Sequence, residues 1–152
     1  MMTTLNPVQL VCPHCGVVNR IPSQKLVDHP MCGKCHDKLL AGKPIVTHDK
    51  NFQRFIEKND LPVVVDFWAP WCGPCKQFAP VFTQAALEME TQACFIKLDT
   101  QDNQQTASRY QIRSIPTLAL FYKGIEVTRV SGALTKGQFQ NWLQQNLSHL
   151  KP

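Results

Sequence analysis

The sequence contains no apolar run near the ~20 residues that a membrane span requires, which excludes a helical membrane anchor. Its start, residues 1–10, carries neither a cationic segment nor an apolar core of signal-peptide type. No secretion is expected, and the cytoplasm, where thiols stay reduced, is the expected compartment. Residues 1–43 contain no Phe, Trp or Tyr, so they lack the stacking platforms that single-stranded nucleic acid uses. Charge is sparse as well: 18% of residues are charged and the net charge is +5. That is a poor electrostatic footprint for nucleic acid. We expect no nucleic-acid partner, no membrane partner and a monomer. There is no low-complexity tract, and no repeat beyond paired cysteines.

What the chain does have is seven cysteines. In a reducing compartment they argue for metal binding or catalysis over structural disulfides. Cys12/Cys15, Cys32/Cys35 and Cys72/Cys75 form pairs, and Cys94 is left over. Cys94 opens an apolar run, where a free cysteine behaves as a small hydrophobe, and we assign it no chemistry. The 152 residues allow one ordinary domain plus a small module. We divide them into a cysteine-rich module, residues 1–43, and a second domain, residues 44–152, joined over residues 39–43.

About 40 residues cannot bury enough apolar surface to fold alone without a metal or crosslink. Cys12, Cys15, Cys32 and Cys35 supply the means. Sixteen residues separate the two Cys-x-x-Cys pairs, a zinc-site spacing. Each pair presents two sulfurs, and two pairs complete a tetrahedron with no open position, so the expected zinc is structural, or redox-sensing if the two thiolate pairs are exposed enough to release it on oxidation. His14 and His36 are spare ligands for a Cys₃His variant of the site. A rival reading makes Cys12-Pro13-His14-Cys15 a redox pair. It needs an apolar strand before Cys12 and a helix after Cys15. We expect neither, because Gly16 and Pro22 intervene. Four thiolates on one divalent zinc would lower the module's charge from +3 to about +1.

From residue 44 onward strand and helix patterns alternate as βαβαβαββα. A short strand covers 44–47. A helix carries Phe52, Phe55 and Ile56, with Thr47 or Asp49 as its cap. A strand over 62–69 is apolar on both faces, as a central strand covered by helices must be. A long helix runs to Glu90, interrupted by Pro80, which should kink it. A strand over 93–99, a short helix over 103–110, and strands over 117–122 and 125–131 follow. Lys123-Gly124 is a hairpin signal between the last two. An amphipathic helix over 135–147 closes the chain, with Phe139, Trp142, Leu143 and Leu147 facing inward. The expected class is α/β: a mixed sheet with helices on both faces.

The third cysteine pair sits in Trp71-Cys72-Gly73-Pro74-Cys75, between the central strand and the long helix. One tight turn brings both sulfurs within disulfide reach. Cys72 then lies at a helix N-terminus, where free N–H groups and the helix dipole favour a thiolate. Pro74 suits an early helical position, where its missing N–H is not needed. Asp66 is a carboxylate in an apolar strand, on the same face as Val64 and Trp68, and is either a costly buried group or a solvated edge residue.

These residues resemble a known family. Val63-Val64-Val65-Asp66-Phe67-Trp68-Ala69-Pro70-Trp71-Cys72-Gly73-Pro74-Cys75-Lys76, then Ala79-Pro80, Ile112-Arg113-Ser114-Ile115-Pro116-Thr117 and Gly132-Ala133 are similar to thioredoxin. The cysteine-rich extension resembles the family's zinc-carrying bacterial thioredoxin 2 type. The resemblance implies a thioredoxin fold, a mixed five-stranded sheet flanked by helices, with a zinc-ribbon-like module ahead of it. It implies a protein-disulfide reductase, re-reduced by an NADPH-dependent thioredoxin reductase. Cys72 would attack the substrate disulfide and Cys75 would resolve the mixed disulfide. Asp66 would be the buried carboxylate that takes the Cys75 proton, with Lys97 as its partner. Ile115-Pro116 would be a cis-proline loop whose backbone pairs with the substrate. Trp71, Gly73, Pro74, Gly132 and Ala133 would complete an apolar rim. The competing reading is a zinc-ribbon binding module tethered to an inert domain.

Overall fold

The computed structural model of the chain describes residues 7–150, and an apolar strand lies at its centre. Residues 1–6 and 151–152, the outer ends of the two expected domains, lie outside the described residues. Strands β1 (Pro7–Val11) and β2 (Val18–Pro22) form an antiparallel hairpin, followed by a short 3-10 helix, Ser23–Asp28. The larger sheet contains β3 (Ile45–Thr47), β4 (Val63–Trp68), β5 (Cys94–Asp99), β6 (Thr117–Tyr122) and β7 (Ile125–Ser131). Its helices are α1 (Phe52–Lys58), α2 (Gly73–Glu88), α3 (Gln104–Arg109) and α4 (Lys136–Leu147).

The strand order is β3-β5-β4-β6-β7. β3, β5 and β4 are parallel, and β6 and β7 each run antiparallel to the preceding neighbour. Alternation along β4 divides the core. Val63, Val65 and Phe67 pack with Phe52, Phe55 and Ile56 of α1. Val64, on the other face, packs with Phe78 and Phe82 of α2 and Phe139 and Leu143 of α4. Both faces of β4 are covered, which is why its sequence is a continuous apolar run.

Thr135 caps α4 with a capping box: its Oγ1 accepts the Gln138 N–H at 3.2 Å, and Gln138 Oε1 accepts the Thr135 N–H at 3.0 Å. α2 continues through Pro80 as a single element.

Two sequence expectations fail locally. Neither Thr47 nor Asp49 caps α1, whose N-cap position is Asn51. Thr47 donates to the Lys97 carbonyl, and Asp49 accepts from the N–H and hydroxyl of Thr106. Both side chains were drawn to partners distant in sequence, Thr47 to β5 and Asp49 to α3. An apolar strand also does precede Cys12: β1, with Val8, Leu10 and Val11 buried. Its five residues are too short to declare themselves, and they bury against partners about fifty residues away. Val11 joins the α1 core, while Leu61 joins the cluster of Val8, Leu10 and Cys12. The other half of that expectation stands: a turn and β2, not a helix, follow Cys15.

Candidate functional site

Cys72 is the N-cap of α2, and its Sγ accepts the Cys75 N–H at 3.2 Å. The two cysteines form a disulfide, with Cα atoms 5.2 Å apart. Both are buried, while the adjacent Trp71 is 69% exposed and Gly73 and Pro74 are exposed. Cys72 Sγ lies 3.8 Å from the carbonyl oxygen of Ile115. The Ile115–Pro116 bond is cis. The Gly132 N–H donates to the Pro116 carbonyl at 2.8 Å, tying the end of β7 to this loop. Thus the start of α2 meets the Ile115-Pro116 loop at the Cys72 sulfur, and the end of β7 is tied to that same loop.

Asp66 is fully buried in β4, and both its carboxylate oxygens lack a hydrogen-bond partner among the described residues. Burial pushes its carboxyl up to about 7, against the downward pull of the Lys97 charge. Lys97 is the Cα partner of Asp66 across β4 and β5, but its Nζ lies over the Trp68 ring, 4.5 Å from the centre. The sequence-expected partnership therefore acts through space, not as a hydrogen-bonded pair.

Ahead of β3 the four remaining paired cysteines converge. The ligand atoms of Cys12, Cys15, Cys32 and Cys35 all lie within 4.8 Å of one another. Both knuckles are built alike. Cys12 N–H donates to Val17 O and Gly16 N–H to Cys12 O; Cys32 N–H donates to Asp37 O and His36 N–H to Cys32 O. The fifth residue of each turn has positive φ, Gly16 at 79° and His36 at 67°. Backbone N–H groups of His14 and Cys15 point at Cys12 Sγ, and that of Lys34 at Cys32 Sγ, each at 3.4 Å.

This donor set fits a tetrahedral metal. Bonds of ~2.3 Å to sulfur imply edges of ~3.8 Å, and Cys12–Cys35 and Cys15–Cys32 stand at 3.6 and 3.7 Å. Packed sulfurs also resist ionising together. The Cys35 N–H and the Asn19 side chain pull the Cys32 thiol down to about 5, while at Cys35 the Asp37 N–H pulls the thiol down, yet burial and the neighbouring sulfurs outweigh it and raise it to about 12. A cation is what would relieve that crowding. His14 turns away and stands 3.3 Å from Asp37.

Sequence reasoning overlooked Asn19, whose side chain donates to Cys32 Sγ at 3.5 Å and accepts the Gly33 N–H at 2.9 Å. It also overlooked Asn59, which accepts the buried Val11 N–H at 3.1 Å and donates to Phe55 O at 2.9 Å. No local pattern marks either residue, because each is defined by a partner distant in sequence.

The family model described as Thioredoxin matches residues 43–145. The chain belongs to the thioredoxin family. Within it, the model described as Thioredoxin 2, N-terminal, matches residues 11–37. Thioredoxin C-3 of Corynebacterium nephridii is 48% identical over 138 residues, covering 91% of this chain and 94% of that one. Thioredoxins of Porphyra purpurea and Haemophilus influenzae are 45% and 41% identical over 100 residues, each covering 66% of this chain and 94% of theirs. The chain is a thiol–disulfide oxidoreductase with a four-cysteine, metal-type cluster ahead of the Thioredoxin match. Among the described residues no helix is long and apolar enough to cross a membrane.

Proposed function

We propose that the Cys72/Cys75 dithiol reduces disulfides of protein substrates in the cytoplasm, and that a thioredoxin reductase using NADPH restores it. The observation that carries this reading is the Cys72–Cys75 disulfide at the mouth of α2, 3.8 Å from the Ile115 carbonyl. In the reduced protein the Cys72 thiolate is favoured by the helix N-terminus and by the Cys75 N–H. It attacks one sulfur of the substrate disulfide. A Cys72–substrate bond forms, the substrate S–S bond breaks, and the first substrate thiol leaves with a proton from solvent.

Cys75 then gives its proton to the Asp66 carboxylate and attacks Cys72 Sγ. The Cys72–Cys75 bond forms, the Cys72–substrate bond breaks, and the second substrate sulfur leaves as a thiolate that takes a proton from solvent. A carboxyl near 7 is half-ionised at neutral pH, which suits a proton acceptor there. Lys97 limits how far that carboxyl rises. Trp71, Gly73, Pro74, Ile115, Pro116 and Gly132 form the substrate-facing rim, and an extended substrate segment pairs with the Ile115 backbone. The domain acts as a monomer.

Cys12, Cys15, Cys32 and Cys35 would hold zinc, which supplies folding energy to the module and takes no part in the redox steps. We take residues 1–43 as that module and 44–152 as the redox domain. Dithiothreitol-driven insulin reduction by wild type and Cys72→Ser tests the central claim. Loss of activity in the variant is expected; equal rates would overturn the reading.

A further inference from the structure

Three hydroxyls form a directed ring beside the Ile115-Pro116 loop, and one fixed point sets its direction. Thr117 Oγ1 lies 2.6 Å from the Ser114 carbonyl oxygen. A carbonyl only accepts, so Thr117 uses its single proton there. Thr117 Oγ1 is also 3.3 Å from Ser131 Oγ. With its own proton committed, Thr117 accepts and Ser131 donates. Ser131 Oγ lies 3.2 Å from Ser114 Oγ. The Ser131 proton is now committed too, so Ser114 donates. The chain begins and ends on Ser114, and all three protons point inward.

The unused capacity is therefore of one kind. Each hydroxyl oxygen has two lone pairs. Ser114 Oγ keeps both and Ser131 Oγ keeps one. Both serines are exposed, whereas Thr117 is buried. Ser114 immediately precedes Ile115, the residue against Cys72 Sγ, and Ser131 immediately precedes Gly132, which is tied to Pro116. Both serines are therefore next in sequence to residues of the loop that borders Cys72.

We propose that Ser114 and Ser131 are specificity-determining residues. They present an acceptor-only rim that favours substrates with a hydrogen-bond donor beside the target cysteine and disfavours a carboxylate there. The inference rests on Cys72 as the attacking sulfur. For Ser114 to donate outward it must give up its bond to Ser131, so a carboxylate gains no net hydrogen bond. One net hydrogen bond corresponds to a preference of roughly two- to tenfold.

The test uses three disulfide-bridged peptides that differ only in the residues flanking the cysteines: Asn, Ala or Asp. Their reduction by wild type, by Ser114→Ala and by the double variant with Ser131→Ala is measured as kcat and KM. Each rate is divided by the same peptide's rate with dithiothreitol, which removes intrinsic disulfide reactivity. Wild type should favour Asn over Asp by the stated factor, mainly through KM, and the variants should lose that ratio. General damage to the loop slows all three peptides alike and leaves the ratio intact. A normalised ratio of one in wild type, or a ratio unchanged in both variants, overturns the specificity role. Undiminished reduction of all three peptides by Cys72→Ser would instead overturn the reading beneath it.

Discussion

Asp66 and Lys97 face each other across parallel strands, yet the amine lies on the Trp68 ring and the carboxylate has no hydrogen-bond partner among the described residues. A buried acid left this way keeps its proton to unusually high pH, because desolvation penalises only the charged form. The same property that the proposed proton-acceptor role requires makes Asp66 a liability to the fold.

That liability has a sign. The unfolded chain releases the Asp66 proton near 3.8, and the native protein holds it to about 7. Native protein binds more protons in this window, so stability falls as pH rises through it and levels off above 7. The full difference corresponds to about 4 kcal/mol at most. Asp66→Asn should remove the slope: the variant gains relative to wild type at pH 8 and not at pH 4. Urea unfolding of the oxidised proteins across this range checks it. The same substitution should slow release of the second substrate thiol in single-turnover assays.

Removing Cys75 separates the two chemical steps. Cys75→Ser leaves a sulfur to attack but none to resolve, so a covalent adduct between Cys72 and a substrate cysteine should accumulate. Mass spectrometry of the non-reduced mixture would show it. Turnover at the wild-type rate without adduct would contradict the assigned order.

Metal removal should separate stability from redox chemistry. The hairpin docks where β4 begins, through Asn59, Asp60 and Leu61. Cys72 lies just beyond the other end of that six-residue strand, about 20 Å away. Chelation, or Cys32→Ser, should release one zinc per chain and lower the unfolding midpoint, with insulin reduction retained. Metal analysis, a thiol count and a thermal melt together check this.

Asn59 is 2% exposed and satisfies a buried N–H of the metal hairpin. Asn59→Ala leaves the Val11 N–H without its partner, at a cost of about 1–3 kcal/mol. Denaturant unfolding should report that loss, and hydrogen exchange should show the Val11 amide losing protection. Exchange at Val65, in the centre of β4, should change far less.

The sequence by itself determined whatever depends on near neighbours. A continuous apolar run located β4, and the two-residue strand period assigned Asp66 to the Val64 face. A two-residue spacing paired the cysteines, and the helical period of Phe139, Trp142, Leu143 and Leu147 located the closing helix. Such features arise from turn geometry and strand or helix period, which a short stretch encodes. Only the tertiary structure decided where Asp49 and Asn59 would bond, that Val11 of β1 would join the α1 core, and that Ser114, Thr117 and Ser131 would close a ring. Each of these requires a partner brought in from elsewhere in the chain, and a polar or short apolar residue has no local energetic preference for which partner that will be.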